Sequence, residues 1–222
     1  LTESKDKVGI RLPPPWNLKG RGYLFVYRFA GKLSETDVFC PEYFKAIPFS
    51  GLGAVMVVDY HESPVGSYRE LLFIPGKFSL NGQSIRSITK IYVSSMASVE
   101  NGRENWGIPK TYADFFIENL DRRTERIRVC VAGLSVVDMT LKSTSLVFPL
   151  TTAIYPLSMV HIYKEKKLFI KPKGRGWGRR AQILRSHVNR DFFPDFSTLK
   201  PLFGMKADRF SLCFPDPQIE SC

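Results

Sequence analysis

From Tyr23 onward the sequence is a succession of short runs in which apolar and polar residues alternate, the pattern of strands with one buried and one wetter face. Residues 23–29 are aromatic and β-branched, 54–60 are largely apolar, and 68–74 end at the Pro75-Gly76 turn. Each predicts a strand, with 61–66 as a loop. Residues 87–98 read as a further strand, Asn101-Gly102 as a turn, and 110–118 as one strand with Lys110, Tyr112, Asp114 and Phe116 on a common face. Residues 126–131 alternate arginine with Ile127, Val129 and Val131, Gly133 marks a bulge, and Val137, Met139 and Leu141 alternate with polar neighbours. Strands are also expected at 159–163, 167–171, 181–188 and 210–214. Helical signals are few: residues 34–44, with a capping Ser34 but an interrupting Pro41, and a short turn at 196–203. Residues 1–17, charged and then proline-rich, form an irregular lead-in that packs over the surface.

Closely spaced strands without a long polar or Pro/Gly/Ser linker predict one domain over residues 1–222, mainly β, either barrel or sandwich. The chain has 222 residues, enough for one well-buried core, and its 44% hydrophobic and 24% charged content is that of an ordinary globular protein. The clearest apolar run, residues 51–58, is far shorter than a membrane helix requires, so no membrane insertion is expected. No apolar leader core opens the sequence, and Cys40, Cys130, Cys213 and Cys222 are too scattered for a zinc site or a dense disulfide framework. A reduced, cytoplasmic setting is therefore the expectation. His61, His161 and His187 stand at no metal-ligand spacing, and the chain lacks a P-loop, a G-x-S-x-G elbow and a dinucleotide fingerprint. A cofactor-free reaction is the natural enzymatic hypothesis.

The net charge is +11, and residues 164–180 hold eight basic residues against one acid. With Trp177 and three glycines, that segment could bind an anion or a nucleic acid; the basic ends around the apolar centre of 166–171 fit a solvated strand better, and no nucleic-acid motif accompanies them.

The stretch from Asn101 to Tyr112, NGRENWGIPKTY, carries the most chemistry. Its lysine comes directly after a proline, among Trp106, Ile108 and Tyr112. A lysine enclosed by apolar groups is penalised as ammonium and gains the neutral amine that attacks a carbonyl. GRE, four residues, then PK resembles the signature around the Schiff-base lysine of the acetoacetate decarboxylase family. Residues 20–29, GRGYLFVYRF, resemble that family's first strand with its substrate-facing arginine, and 66–76, GSYRELLFIPG, the segment with its essential glutamate. The resemblance implies a cone-like, mostly antiparallel β-barrel with small flanking helices, an active site inside it, and a homo-oligomer. It makes Lys110 the nucleophile, Glu70 the catalytic carboxylate and Arg21 the binder of a substrate carboxylate; Trp106 and Tyr112, neighbours of the lysine in sequence, are the expected apolar, substrate-binding walls. Where the decarboxylase has a second lysine after the nucleophile, this chain has Thr111, so burial must supply the activation. The decarboxylase is itself a standard instance of a lysine activated by desolvation or a neighbouring cation.

Three functions are compatible with these residues. The first is a cofactor-independent lyase forming an imine between Lys110 and a small oxo acid, of decarboxylase or aldolase-dehydratase type. The second is a non-catalytic small-molecule-binding barrel, and the third a surface for nucleic acid or anionic lipid at 164–180.

Overall fold

The computed structural model describes residues 9–29, 39–45, 47–80, 82–153 and 157–221. In chain order the elements are β1 (Trp16–Tyr27), α1 (Glu42–Lys45), β2 (Phe49–Ser50), β3 (Gly53–Glu62), β4 (Tyr68–Ile74), β5 (Lys77–Leu80), β6 (Gln83–Ile85) and β7 (Lys90–Val93). Next come α2 (Met96–Trp106), β8 (Lys110–Tyr112), β9 (Asp114–Asn119), β10 (Thr124–Val131), β11 (Leu134–Thr151), β12 (Met159–Tyr163), β13 (Lys166–Ile170), β14 (Lys173–Val188), β15 (Phe203–Phe214) and β16 (Gln218–Ser221).

Ten strands form one sheet in the order β8-β7-β4-β3-β1-β15-β14-β11-β10-β9, antiparallel throughout except for the parallel pair β7–β8. Its two edge strands, β8 and β9, are consecutive in the chain and separated only by Ala113, whose N–H donates to Val93 O at 2.9 Å. The sheet therefore curls until its edges meet, a nearly closed barrel of mainly β architecture. One core cluster draws Tyr23, Phe25, Val57, Leu71, Phe115, Val129 and Met139 from strands all round the sheet, so it fills the barrel interior. A second cluster, including Trp16, Leu18, Val58, Tyr60, Leu72 and Ile91, lies on the outer face of β1, β3, β4 and β7, where α2 and β12–β13 cover it.

Strand alternation predicts most of this sheet, but four elements differ. The segment 87–98 is a strand only at β7, because Ser95 caps α2 by accepting from the Ser98 N–H. Asn101-Gly102 is not a turn: both lie inside α2, which ends at Gly107 with φ 65°, the left-handed residue that a helix end favours. The helix tolerates buried Asn101 because its side chain accepts from Leu12 N–H (2.7 Å) and donates to Ile10 O (3.0 Å), stitching the lead-in to α2. The strand expected over 110–118 is split at buried Ala113 into the two edges of the barrel, so Lys110 and Phe116 do not share a strand. Ala132 and Gly133, with φ 48° and 80°, make a two-residue hairpin turn rather than a bulge.

Of the helix expected over 34–44, residues 34–38 lie outside the described residues and the observed helix is α1. Residues 196–202 form turns without helix, β14 and β15 are longer than expected, and β1 starts at Trp16 instead of Tyr23, so it takes in the last two residues of the expected lead-in. The segment 164–180 is the β12–β13 turn, β13 and the first half of β14.

Candidate active site

Glu70 on β4 pairs with Val58 on β3, and Val58 with Gly22 on β1; Ile91 on β7 pairs with Leu72 and with Lys110. Residues opposite one another share a face of the sheet, so Glu70 and Lys110 both project outward, under α2. There Lys110 is 3% and Glu70 5% exposed, and Lys110 Nζ donates to Glu70 Oε1 at 2.7 Å and to Ser98 Oγ at 2.9 Å. The ammonium also lies 5.1 Å from the centroid of the Tyr68 ring. Burial, and then the Glu70 charge, push the hydroxyls of Tyr60 and Tyr68 well above the usual tyrosine range. Both remain protonated beside the Glu70 carboxylate.

The spacing of the GRE and PK pieces has a geometric cause. Ser98 and Gly102 are four apart in α2 and so present one face to β8. A Cβ on Gly102 would lie 2.6 Å from Lys110 Cδ, 2.8 Å from Cε and 3.3 Å from Nζ; only glycine leaves room for the lysine stem. Arg103 donates from Nε (2.9 Å) and Nη2 to Lys110 O, which fixes the backbone that carries the amine. Glu104 faces outward and pairs with Lys164 at 3.0 Å.

The Lys110–Glu70 pair borders a cavity of about 70 Å³. Its walls are apolar, among them Trp16, Met56, Leu72, Ile91, Trp106 and Phe214. Trp106, 2% exposed, is held by its Nε1–H on Pro215 O (2.8 Å) and edge-on against Trp16, and lines this cavity. The cavity is not the space inside the barrel, where the resemblance would put it; it lies between the sheet's outer face and the layer of α2 and β12–β13.

Two residues expected at the site are elsewhere. Arg21 pairs across the sheet with Asp59, and Asp59 with Arg69, on the face opposite Glu70. Its guanidinium meets Asp59 Oδ2 at 3.2 Å and Glu125 Oε1 at 2.9 Å, and Glu125 also holds buried Lys206 at 2.8 Å. It therefore belongs to a charge network at the inner face. The first-strand positions next to Arg21 on the Lys110 side are Gly20, opposite Tyr60, and Gly22, opposite Val58. Tyr112 is 43% exposed, and its hydroxyl meets Asp114 at 3.1 Å, outside the cavity. Conversely, Ser98, Tyr60, Tyr68, Gly102 and Arg103 belong to the site without having been anticipated. Tyr68 was legible as the residue two before Glu70 in a strand; Ser98 becomes visible only once α2 is known to be a helix.

Among the described residues no group of three His, Cys, Asp or Glu is placed to hold a metal ion, and no helix is long and apolar enough to cross a membrane.

A β-barrel whose outer face buries a lysine, a glutamate and a glycine-bearing helix against one cavity defines a class of proteins with a lysine-centred pocket. Residues 9–161 match the family model Acetoacetate decarboxylase (ADC), and the chain belongs to that family. The acetoacetate decarboxylase of Legionella pneumophila subsp. pneumophila has the same fold, with a TM-score of 0.67 at 10% identity, covering 94% of this chain and 88% of that one. The enduracididine biosynthesis enzyme MppR complexed with pyruvate gives a TM-score of 0.61 at 13% identity over 96% of this chain and 93% of that one. In sequence, Protein NEOXANTHIN-DEFICIENT 1 of Oryza sativa subsp. japonica is 26% identical over 115 residues. That match takes in 51% of this chain and only 37% of the relative.

Proposed function

We propose that the protein is an imine-forming enzyme in which Lys110 condenses with the carbonyl group of a small substrate. The observation that carries this reading is the enclosed amine: Lys110 Nζ stands in an apolar cavity with a carboxylate at 2.7 Å and a hydroxyl at 2.9 Å. Glu70 is placed to take the proton that Lys110 must lose before attack, and to return it as the carbinolamine expels water. Ser98 holds the amine in line, and Tyr60 and Tyr68 line the cavity beside Glu70. A buried, paired lysine and glutamate are a poor device for stability alone, since desolvating the two charges offsets most of their attraction; a reactive role accounts for them better.

A decarboxylase-type lyase on an oxo acid is the reaction that family membership brings forward, and MppR with pyruvate shows that a protein of this fold is found with a small oxo acid. The carboxylate clamp that such a reaction calls for is not supplied here by Arg21, so the imine step has more support than the decarboxylation step. Exchange of ketone oxygen with ¹⁸O-labelled water measures imine formation and is blind to any later bond cleavage. The protein should accelerate that exchange and Lys110→Ala should not; equal rates would remove the proposal and leave a binding pocket with a structural ion pair.

A further inference from the structure

We propose that the Lys110 site takes a carbonyl flanked on both sides by hydrocarbon, a ketone with an extended apolar tail, and discriminates against α- and β-oxo acids. This rests on the imine reading of Lys110 and narrows its substrate class.

The walls carry the argument. Among the described residues that line the cavity, Lys110 is the only cation and Glu70 the only anion. Condensation preserves that balance: Lys110 ammonium plus ketone gives the protonated imine and one water, with the positive charge still on nitrogen and Glu70 still anionic. A neutral substrate leaves the cavity neutral. An oxo acid adds a carboxylate one or two carbons from the reacting centre, with one cation for two anions and apolar walls in place of water, an arrangement that burial penalises strongly.

Nor can the sheet supply a clamp at the first-strand positions. Gly20 and Gly22 stand there, and a Cβ would lie 2.6 Å from Asp59 O at the first and 2.5 Å from Val57 O at the second, so no side chain fits against that backbone. The adjacent Arg21 points into the barrel and is engaged by Asp59 and Glu125.

Size gives the tail. The cavity, about 70 Å³, admits the carbonyl end of a molecule, and it adjoins an open groove of about 710 Å³ with Leu18, Leu157, Pro172 and Leu212 common to both. Hydrocarbon fits that junction. Lys19, Lys171, Lys173 and Arg175 border the groove and not the cavity, so a negative charge is admissible on the part of the tail that lies in the groove and not beside the carbonyl. With such a substrate Glu70 can remove an α-proton from the protonated imine. The C–H electron pair becomes the enamine double bond, nitrogen is neutralised and Glu70 is protonated; return of a proton to carbon and hydrolysis by water regenerate ketone and amine. No further reactant is needed.

The test is borohydride trapping on the intact full chain with three probes of equal length: 2-octanone, 2-oxooctanoate and 3-oxooctanoate. Half-maximal labelling by the ketone should come at a concentration at least about tenfold lower than by either acid, a difference of about 1.4 kcal/mol. Met56→Lys, at a half-buried wall position, should narrow the gap by offering the carboxylate a partner. Acids that label Lys110 as well as the ketone, with Met56→Lys without effect, would overturn the substrate assignment and leave imine formation standing. Absence of an adduct with any probe would overturn both.

Discussion

Gly102→Ala tests whether the helix glycine exists for the lysine. In an ordinary helix interior this change stabilises by roughly 0.5–1 kcal/mol, because alanine loses less backbone entropy on folding than glycine. Here the new methyl would sit 2.6 Å from Lys110 Cδ, against about 3.5–4.0 Å for a favourable carbon contact. The lysine stem or the helix must yield by about 1 Å, and the stem is buried and tied at its tip to Glu70 and Ser98. Overpacking of this kind costs about 1–3 kcal/mol, so the net effect should be a loss of up to about 2 kcal/mol. Misplacing a reacting group by 1 Å can also lower a rate about a hundredfold. Urea denaturation gives the first number and the labelling rate of Lys110 the second. A variant more stable than the parent that labels at the parent rate would refute the close-approach argument.

Three other outcomes are set by the same geometry. Lys110→Met should destabilise by about 3–5 kcal/mol in urea because it strands a buried Glu70, and adding Glu70→Leu should recover most of that; equal stabilities of the single variant and the parent would mean that the pair is not desolvated. Buried His161 accepts from the Ile88 N–H at 3.2 Å, and desolvation lowers its pKa from 6.5 to about 3. Its protonation is therefore favoured in the unfolded chain: stability is whole above pH 6.5 and falls by about 1.4 kcal/mol per unit as pH drops toward 3. His161→Gln should flatten that slope between pH 6.5 and 5, and an unchanged slope would contradict the assignment. Arg21→Ala should lower stability, since Glu125 and Asp59 lose a partner, while leaving the labelling of Lys110 within about twofold; a large loss of labelling alone would place Arg21 back at the site.

Much of the site was legible because period-two alternation is a local property. It put Glu70 inside a strand, and the GRE and PK pieces marked Lys110. Less was legible where a tertiary contact decides. Residues 95–106 contain Val99 and an Asn-Gly pair, strand and turn signals on their own terms, and become a helix through the Ser95 and Gly107 caps and the hold of Asn101 on the lead-in. Arg21 pairs with Asp59 and keeps the alternation of Tyr23 and Phe25, which fill the barrel, whereas Glu70 pairs with Val58 on the other face. The expected convergence of Arg21 and Lys110 fails because the lysine lies outside the barrel wall, under a layer of α2 and β12–β13 that no local pattern reveals.

Whether Lys110 is the amine that reacts is read by reduction of the protein with borohydride in the presence of a small ketone, then digestion and mass spectrometry. One adduct is expected, on the peptide carrying Lys110, lost in Lys110→Ala and sharply reduced in Glu70→Gln. Labelling spread over surface lysines such as Lys171 and Lys173, at the same rate in Lys110→Ala, would contradict that role for Lys110.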